Sequence, residues 1–353
     1  MLFCPYTCTR RWKPPIVAVK GSATLAGARR GWHKRAMPPG PTLADAFALD
    51  RAGRAAEAIA VIERLAARGD PEALFNLADL HWRGAGVSQD FGRGRELFAR
   101  ASDAGHPIAI RATTNLMASG IAGRRDWHGA LRRLAGEAPG DVRRRKMLEL
   151  ILAMDLTETG DPARLPAGET LSATPWIVLY RGAFTRAECE FLLEVAAPSY
   201  QRSLVGSGSE AVPDPIRTSD GATIHWLIED PAIHALNRRL AALAGTAVEN
   251  GEPLQILRYR AGQQYRRHLD WLNQPNRRVL TALVYLNDDY VGGETVFTRI
   301  GLTVRGRPGD VLVFRSGDPE QGPDPLSEHA GMPVAAGTKY LASRWMRAGC
   351  HVV

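Results

Sequence analysis

The feature of this sequence that most limits its fold is an internal repeat in the N-terminal half. The segment Gly69-Asp-Pro-Glu-Ala73 recurs as Gly105-His-Pro-Ile-Ala109, at an offset of 36 residues. The same offset places Gly84 on Gly120, so each unit reads as a pair of helices with a glycine turn. A repeat of this length predicts stacked helical units, because each helix pair buries its apolar face only against its neighbours.

Helical periodicity extends this pattern over most of the N-terminal half. Apolar residues recur at helical spacing, first at Ala58, Ile59, Ile62 and Leu65 and then at Leu74, Leu77 and Leu80. We therefore predict a helical repeat domain over residues 42–158, with one well-preserved unit, one degraded unit and a worn copy over residues 46–68. Function does not follow from such a fold, so the repeats are either a surface that binds a partner or a helical spacer.

The C-terminal half predicts a different architecture. Residues 160–168 have the Pro and Gly density of a linker, and we predict a linker over residues 159–172 and a second domain over residues 173–353. Domains joined in this way usually keep separate cores. The predicted elements are an apolar strand at 176–180, helices at 186–196 and 231–243, and β-rich segments at 254–259, 279–287, 295–297, 311–314 and 340–346. Closely spaced strands with glycine turns indicate a β-sandwich or barrel.

Charge and cysteine content exclude several classes of protein. Residues 1–36 hold eight of the 45 Lys and Arg residues and no Asp or Glu, which leaves 37 basic residues against 37 acidic ones. The net charge of +8 is therefore a property of the N-terminal segment, and we predict no nucleic-acid partner. No apolar run approaches the ~18 residues of a membrane span, so no membrane partner is expected. Four cysteines without a Cys-x-x-Cys motif favour a cytoplasmic location.

The basic N-terminal segment has neither a helical nor an alternating pattern. The run Pro15-Ile-Val-Ala-Val19 is too short for the apolar core of a signal peptide, although an Arg-rich segment without acidic residues also imitates a transit peptide. We predict that residues 1–41 are a disordered basic extension and favour Met37 as the real start.

The residues that indicate chemistry begin with His268 and Asp270. They lie two apart in a predicted strand and so project from one face of it. An imidazole beside a carboxylate suits a divalent metal, and His329, in the distant segment Ser-Glu-His-Ala-Gly, would complete a facial triad with open coordination positions. A His-x-Asp pair alone is usually just two exposed polar residues, so the prediction depends on the motifs around it.

Those motifs resemble the prolyl 4-hydroxylase branch of the Fe(II)/2-oxoglutarate dioxygenases. The matching segments, in the order and spacing of the family, are Arg217-Thr-Ser219, Leu254–Tyr259, Gly262–Tyr265, His268–Asp270, Gly292–Thr295, Gly309–Phe314, His329–Val334 and Gly337–Lys339. The resemblance covers residues 175–347 and implies a double-stranded β-helix, a small jelly roll with the metal in its open mouth.

The N-terminal half has a resemblance of its own. The run Gly84-Ala-Gly-Val-Ser-Gln-Asp90 resembles Sel-like repeats, which are relatives of the tetratricopeptide repeats. The fold class predicted for the whole chain is therefore α+β and multidomain, with an N-terminal α-helical repeat solenoid followed by the jelly-roll oxygenase domain.

The dioxygenase resemblance also implies a ligand set and a cofactor anchor. It makes His268, Asp270 and His329 the ligands of Fe(II). Lys339, ten residues after His329 as in the family, would bind the far carboxylate of 2-oxoglutarate. A single lysine is otherwise nearly always a solvated surface group.

Four further residues gain roles from the same resemblance. Tyr259 matches a family tyrosine that hydrogen-bonds 2-oxoglutarate, and Tyr285 is a second candidate for that contact. Trp345 matches a tryptophan beside the metal pocket, and Arg217 is a candidate for binding the peptide substrate. The alternatives are core residues for the three aromatic side chains and a solvated surface residue for Arg217.

The implied function is a hydroxylase that converts 2-oxoglutarate and O2 to succinate and CO2 while it hydroxylates a prolyl residue. The implied cofactors are Fe(II), 2-oxoglutarate, O2 and L-ascorbate, and the implied partner is a peptide or protein, which the helical repeats would capture. Tyr340 replaces a frequent family tryptophan, and the loop over residues 206–215 carries no specificity signal. The alternatives are therefore a hydroxylase of another residue or of a free amino acid, or a repeat-based binding protein with a vestigial oxygenase domain.

Overall fold

The computed structural model describes residues 40–205, 212–213 and 216–351. The predicted basic extension lies almost entirely outside these residues, as does most of the loop over residues 206–215. Within the described part of the chain, no helix combines the length and the apolar character needed to cross a membrane.

The N-terminal half folds as a stack of helices. Their bounds are α1 (Leu43–Arg51), α2 (Ala55–Ala67), α3 (Pro71–Arg83), α4 (Phe91–Asp103), α5 (Pro107–Ser119), α6 (Trp127–Glu137) and α7 (Val142–Ala153). The repeat predicted from the sequence maps α3 and α4 onto α5 and α6. Asp90 and Asp126, equivalent under the offset, both cap the N-terminus of their helix with a side-chain oxygen.

Glycine ends the first helix of each repeat. Gly84 and Gly120 adopt the left-handed backbone conformation, with φ of 65° and 77°. A residue with a Cβ is strained in this conformation, and a Cβ on Gly120 would also lie 2.9 Å from the Cβ of Arg125. The glycine signal in the sequence therefore marks the tight turn between the two helices of a unit.

The C-terminal half is a jelly roll with two helices, α8 (Arg186–Ala196) and α9 (Pro231–Ala244). Its strands are β1 (Gly168–Ser172), β2 (Ile177–Tyr180), β3 (Gln201–Arg202), β4 (Leu204–Val205), β5 (Val212–Pro213), β6 (Asp220–Thr223), β7 (Gln255–Arg260), β8 (Tyr265–His268), β9 (Arg278–Tyr285), β10 (Tyr290–Gly292), β11 (Thr295–Phe297), β12 (Leu302–Val304), β13 (Val311–Arg315), β14 (Gly317–Asp318), β15 (Gly322–Pro323), β16 (His329–Gly331) and β17 (Val334–Arg347).

Two antiparallel sheets form the roll. The larger runs β1-β2-β13-β9-β17-β7-β6-β3, with β10 added beside β17, and the smaller runs β12-β11-β16-β8. An apolar core between them includes Leu283, Phe297 and Phe314. The other face of the larger sheet is covered by α8 and α9, through residues such as Leu192 and Leu236. The predicted fold class is confirmed.

The predicted linker over residues 159–172 is wrong in its last part, because Gly168–Ser172 forms strand β1. This strand pairs with β2 and becomes the edge of the larger sheet. Without it, β2 would expose a row of unpaired backbone groups, and an edge of that kind favours pairing. Gly168 lets the two strands approach, since a Cβ there would lie 2.6 Å from the Val178 side chain.

The expectation of separate cores holds only in part, because each half has a buried cluster of its own while a third cluster joins the two halves. One buried cluster joins Leu134 and Met147 of the repeat helices to Phe184 and Leu236 of the jelly-roll half. Helices α5 and α7 pack directly on α9, so the two halves exclude water from the same apolar surface.

A second contact between the halves comes from a short segment after β6 in the jelly-roll half. Trp226 and Leu227 pack against the buried core of the repeat helices, and the Trp226 ring meets Phe91 edge-on at a centroid distance of 6.0 Å. The Nδ2 of Asn115 on α5 donates a hydrogen bond of 2.9 Å to the Leu227 carbonyl. The repeats and the roll are therefore packed through two separate contacts.

Candidate active site

Strand register brings the three predicted metal ligands together. His268 ends β8 and His329 begins β16, and the two residues are partners in the smaller sheet. Asp270 follows His268 by two residues. Its carboxylate lies 3.5 Å from Nε2 of His268 and 3.7 Å from Nε2 of His329. All three ligand atoms lie within 4.8 Å of one another, which fits a single metal ion.

Backbone carbonyls orient both imidazoles. Nδ1 of His268 lies 2.8 Å from the Arg266 carbonyl, and Nδ1 of His329 lies 3.0 Å from the Ser327 carbonyl. A carbonyl only accepts, so Nδ1 carries the proton in each ring and the lone pair of Nε2 faces the centre of the cluster. These contacts fix the rings in the form that binds a metal.

The electrostatics of the cluster favour the same ligand form. Burial lowers the pKa of His329 to about 4, so this imidazole is neutral at physiological pH. Burial alone would raise the pKa of Asp270, but its polar neighbours in the pocket hold it well below its usual value. The Thr281 hydroxyl also donates a hydrogen bond of 2.7 Å to Asp270. Neutral imidazoles and an ionised carboxylate are the states that metal binding requires.

The cluster opens into one pocket between the two sheets. The lining is Leu257, Tyr259, Tyr265, His268, Asp270, Leu283, Thr295, His329, Gly331, Met332, Lys339, Leu341, Ser343 and Trp345. Alternate residues of β17 contribute a row from Lys339 to Trp345, because successive strand side chains point to opposite faces. The structure thus brings six of the eight predicted site residues into one lining: the metal cluster, Lys339, Tyr259 and Trp345.

Lys339 is a buried cation at one end of that row. Its side chain is 3% exposed, and Nζ donates a hydrogen bond of 2.7 Å to the Gly293 carbonyl. Nζ also lies 5.8 Å and 5.7 Å from the ring centroids of Tyr259 and Tyr285. Burial lowers the pKa of Lys339 to about 8. A buried ammonium whose direct contacts are a backbone carbonyl and two tyrosine rings fits the carboxylate of a ligand.

Tyr285, the second candidate for the 2-oxoglutarate contact, is a buried residue outside the pocket lining. Its ring packs behind the pocket, and its hydroxyl donates a hydrogen bond of 3.1 Å to Thr295. Thr295 lines the pocket instead. The signal for Thr295 was its place in the motif Gly292–Thr295, but a threonine in a short strand carries no sign of its partner.

Arg217 lies next to the cluster but outside the lining. It forms an isolated bridge with Tyr265, and its guanidinium lies 5.5 Å from the centroid of the Tyr265 ring. That ring stacks on the ligand His268 at a centroid distance of 3.5 Å. Tyr265 belongs to the motif Gly262–Tyr265, which implied no role for it. Strand alternation would place Tyr265 and His268, three residues apart, on opposite faces, so the sequence carried no signal for this contact.

The fold and the cluster together define a non-haem iron oxygenase, and the comparisons with known proteins agree. Residues 254–347 match the 2OG-Fe(II) oxygenase superfamily, and residues 71–106 match the Sel1 repeat. The chain is 33% identical to probable prolyl 4-hydroxylase 3 of Arabidopsis thaliana over 208 residues, which cover 51% of this chain and 72% of that protein. It is 34% identical to prolyl 4-hydroxylase 1 of the same plant, over 51% and 71%. The chain belongs to the prolyl 4-hydroxylase family of 2-oxoglutarate- and Fe(II)-dependent dioxygenases.

A solved structure is similar to the same half of the chain. The viral collagen prolyl hydroxylase of Paramecium bursaria Chlorella virus-1 is 25% identical, with a TM-score of 0.38, and the match covers 49% of this chain and 96% of that one. The family predicted from the motifs, with its Sel-like repeats, is confirmed by the sequence matches.

Proposed function

We propose that this enzyme hydroxylates prolyl residues of a peptide or protein, consuming 2-oxoglutarate and O2 and releasing succinate and CO2. The observation that carries this proposal is that His268, Asp270 and His329 share one buried pocket with Lys339. Two imidazoles and one carboxylate suit Fe(II) and leave coordination positions open, while a buried ammonium suits the far carboxylate of the 2-oxo acid. The names of the relatives support a prolyl target.

Each residue that lines the pocket has a role set by its position. Bound Fe(II) supplies the activation of O2 that accompanies decarboxylation of 2-oxoglutarate. Lys339 binds the far carboxylate, and Tyr259 and Thr295 border the same end of the pocket. The buried walls exclude water, which strengthens each of these polar contacts. Trp345 closes the other end of the pocket, and its ring centroid lies 4.2 Å from the Arg278 guanidinium.

A peptide would reach the cluster past Tyr265 and Arg217. Tyr265 lines the pocket and stacks on a metal ligand, and Arg217 lies against Tyr265. A planar aromatic ring packs well against a pyrrolidine ring, and a guanidinium donates hydrogen bonds to peptide carbonyls. We assign substrate binding to this pair.

The test of the proposed function measures succinate release by the full chain with Fe(II), 2-oxoglutarate, O2 and ascorbate. A proline-containing peptide should stimulate release and gain one oxygen atom, whereas the same peptide with alanine for proline should do neither. Stimulation by the alanine peptide or by free amino acids would move the target to another substrate. No turnover of 2-oxoglutarate under any of these conditions would leave a binding protein with an inactive oxygenase domain.

We further propose that L-ascorbate is the reductant, that the enzyme acts in the cytoplasm and that the repeats capture the substrate protein. The Sel1 match supports the last point, since repeat stacks of this kind present extended surfaces. Capture would raise the effective concentration of the reacting proline. Alanine substitutions on exposed positions of α2 to α4 should then lower efficiency on an intact target but not on a short peptide. Equal efficiency on both would make the repeats a spacer.

A further inference from the structure

Two polar atoms in the pocket lining have no hydrogen-bond partner among the described residues. They are Oγ of Ser343 and Nε1 of Trp345, in side chains that are 1% and 4% exposed. Nearly all buried polar groups in proteins are paired, so an orphaned pair inside a binding pocket indicates a ligand that pairs with it. Trp345 was already predicted to border the pocket, whereas Ser343 has no assigned role.

The register of β17 places Ser343 between the two ends of the pocket. Trp345 pairs with Thr281, whose hydroxyl donates to the metal ligand Asp270, so Trp345 marks the level of the cluster. Ser343 lies one step away on the same face, opposite Leu283. Leu341 follows it, and Lys339 completes the row. Along one face of the strand, the side chains are therefore an indole N–H, a hydroxyl, an apolar group and an ammonium.

This order matches the polarity of a 2-oxo dicarboxylate. Such a molecule has a far carboxylate, two methylene groups and then a 2-oxo acid end that carries only oxygen acceptors. With the far carboxylate on Lys339, the methylene groups pass Leu341 and the oxo-acid end lies at the level of Ser343 and the cluster. A hydroxyl and an indole N–H are donors, and the oxo-acid end supplies acceptors for both.

We propose that the Ser343 hydroxyl, assisted by the Trp345 indole N–H, donates a hydrogen bond to the oxo-acid end of 2-oxoglutarate. Ser343 is then a positioning residue that fixes the metal end of the co-substrate, as Lys339 fixes the far end. This inference rests on the proposed function, since it assumes that the pocket takes a 2-oxo acid. Hydrogen bonds to charged groups are the stronger ones, so an effect of about tenfold on affinity is expected.

The experiment separates the two ends of the ligand by binding rather than by turnover. The full chain is loaded with Mn(II) without O2, and dissociation constants are measured by calorimetry for 2-oxoglutarate and for 2-oxopentanoate. The second compound keeps the oxo-acid end and lacks the far carboxylate. Ser343→Ala should weaken both ligands by about the same factor, whereas Lys339→Ala should weaken 2-oxoglutarate only.

Matched variants control for structural damage. Ser343→Thr keeps the hydroxyl and should retain most of the affinity, and Ser343→Cys keeps the size with a weaker donor and should fall between. Ser203→Ala removes another buried hydroxyl, one that already pairs with Ser219 at 3.1 Å, and should leave both affinities unchanged. If Ser343→Ala fails to fold, as judged by circular dichroism, the threonine and cysteine variants carry the comparison.

Each outcome decides a separate point. Wild-type affinity for both ligands in Ser343→Ala overturns the role of Ser343 and leaves the proposed function standing. A loss for 2-oxoglutarate alone places the hydroxyl at the far carboxylate and also overturns the inference. A wild-type chain that binds Mn(II) but neither 2-oxo acid contradicts the proposed function itself.

Discussion

The helical half and the jelly roll are built from contacts of very different reach along the chain. Each repeat helix packs mainly on the next helix, and its caps come from residues directly beside it, as Asp90 and Asp126 show. In the roll, His268 and His329 are strand partners although 61 positions separate them in sequence. The repeat half therefore depends on many local contacts, and the active site depends on a few distant ones. Substitutions in the repeat half should therefore lower mainly the stability, and substitutions at the active site should lower mainly the activity.

The largest effect that tests this division is expected from loss of a metal ligand. His268→Ala or His329→Ala should lower turnover of 2-oxoglutarate more than about a hundredfold, because even residues that only support a ligand have effects of 10–100-fold. Thermal unfolding of the metal-free protein should change little. His128→Ala, an exposed histidine on α6, is the matched control and should keep wild-type turnover. Near-normal turnover of either ligand variant at saturating Fe(II) would refute the assignment.

The second test asks whether the shared core links the two halves. Leu134→Ala, in the cluster that joins the halves, should lower the free energy of unfolding by about 2–5 kcal/mol. Leu74→Ala, in the core of the repeats, creates a similar cavity and is the control. Leu134→Ala should shift the unfolding of helix and of β-sheet together, as followed by circular dichroism and by Mn(II) release. If the sheet signal of Leu134→Ala matched that of wild type, the halves would be independent despite their contact.

The third test concerns the anchor of the far carboxylate. Lys339→Ala leaves a ligand carboxylate facing an apolar wall, a situation that costs about 2–5 kcal/mol. The apparent KM for 2-oxoglutarate should rise at least about tenfold, and Lys339→Arg should restore part of it. An unchanged requirement in the alanine variant would place the anchor elsewhere.

The smallest effect is expected from pH. The pKa of Lys339 is about 8, and the carboxylate binds its protonated form. From pH 7 to pH 9 the protonated fraction falls about tenfold, so the dissociation constant for 2-oxoglutarate should rise about tenfold. The folded-state pKa of Lys339 lies below the ordinary 10.5. The free energy of unfolding should therefore rise as the pH increases from about 8 to 10.5. Binding by Lys339→Arg should be flat over the same range, and an equal rise there would assign the titration to another group.

Sequence patterns predicted the features that depend on neighbouring residues, such as helix ends. They missed the features that depend on residues far apart in the chain, such as strand partners. The offset of 36 and the capping residues indicated the helix pairs because helix signals lie within one turn of each end. Strand alternation predicted His268 beside Asp270 from two nearby residues, although β8 ends at His268 and Asp270 lies just beyond it. Strand β1 was missed because an edge strand is defined by its partner. Thr295 was missed because nothing in the sequence shows that the Tyr285 hydroxyl is directed at it.

Ser343 was a different kind of omission. It lies four residues after Lys339 in a predicted strand, and the alternation that pairs His268 with Asp270 also places these two on one face. The sequence alone therefore contained its position. What the sequence did not contain was the lack of a partner for its hydroxyl, which depends on every residue packed around it.

The packing of α5 and α7 on α9 limits where repeat units can be added to this protein or exchanged between enzymes. The last helices of the stack already belong to a surface that the catalytic half completes, so a foreign array grafted at α7 would bring no match for α9. Extra 36-residue units are compatible with the fold only farther from the roll, upstream of α3. Lineages that lengthen the array should therefore carry their insertions there, and recombination that cuts at the Pro- and Gly-rich segment should yield insoluble chimeras.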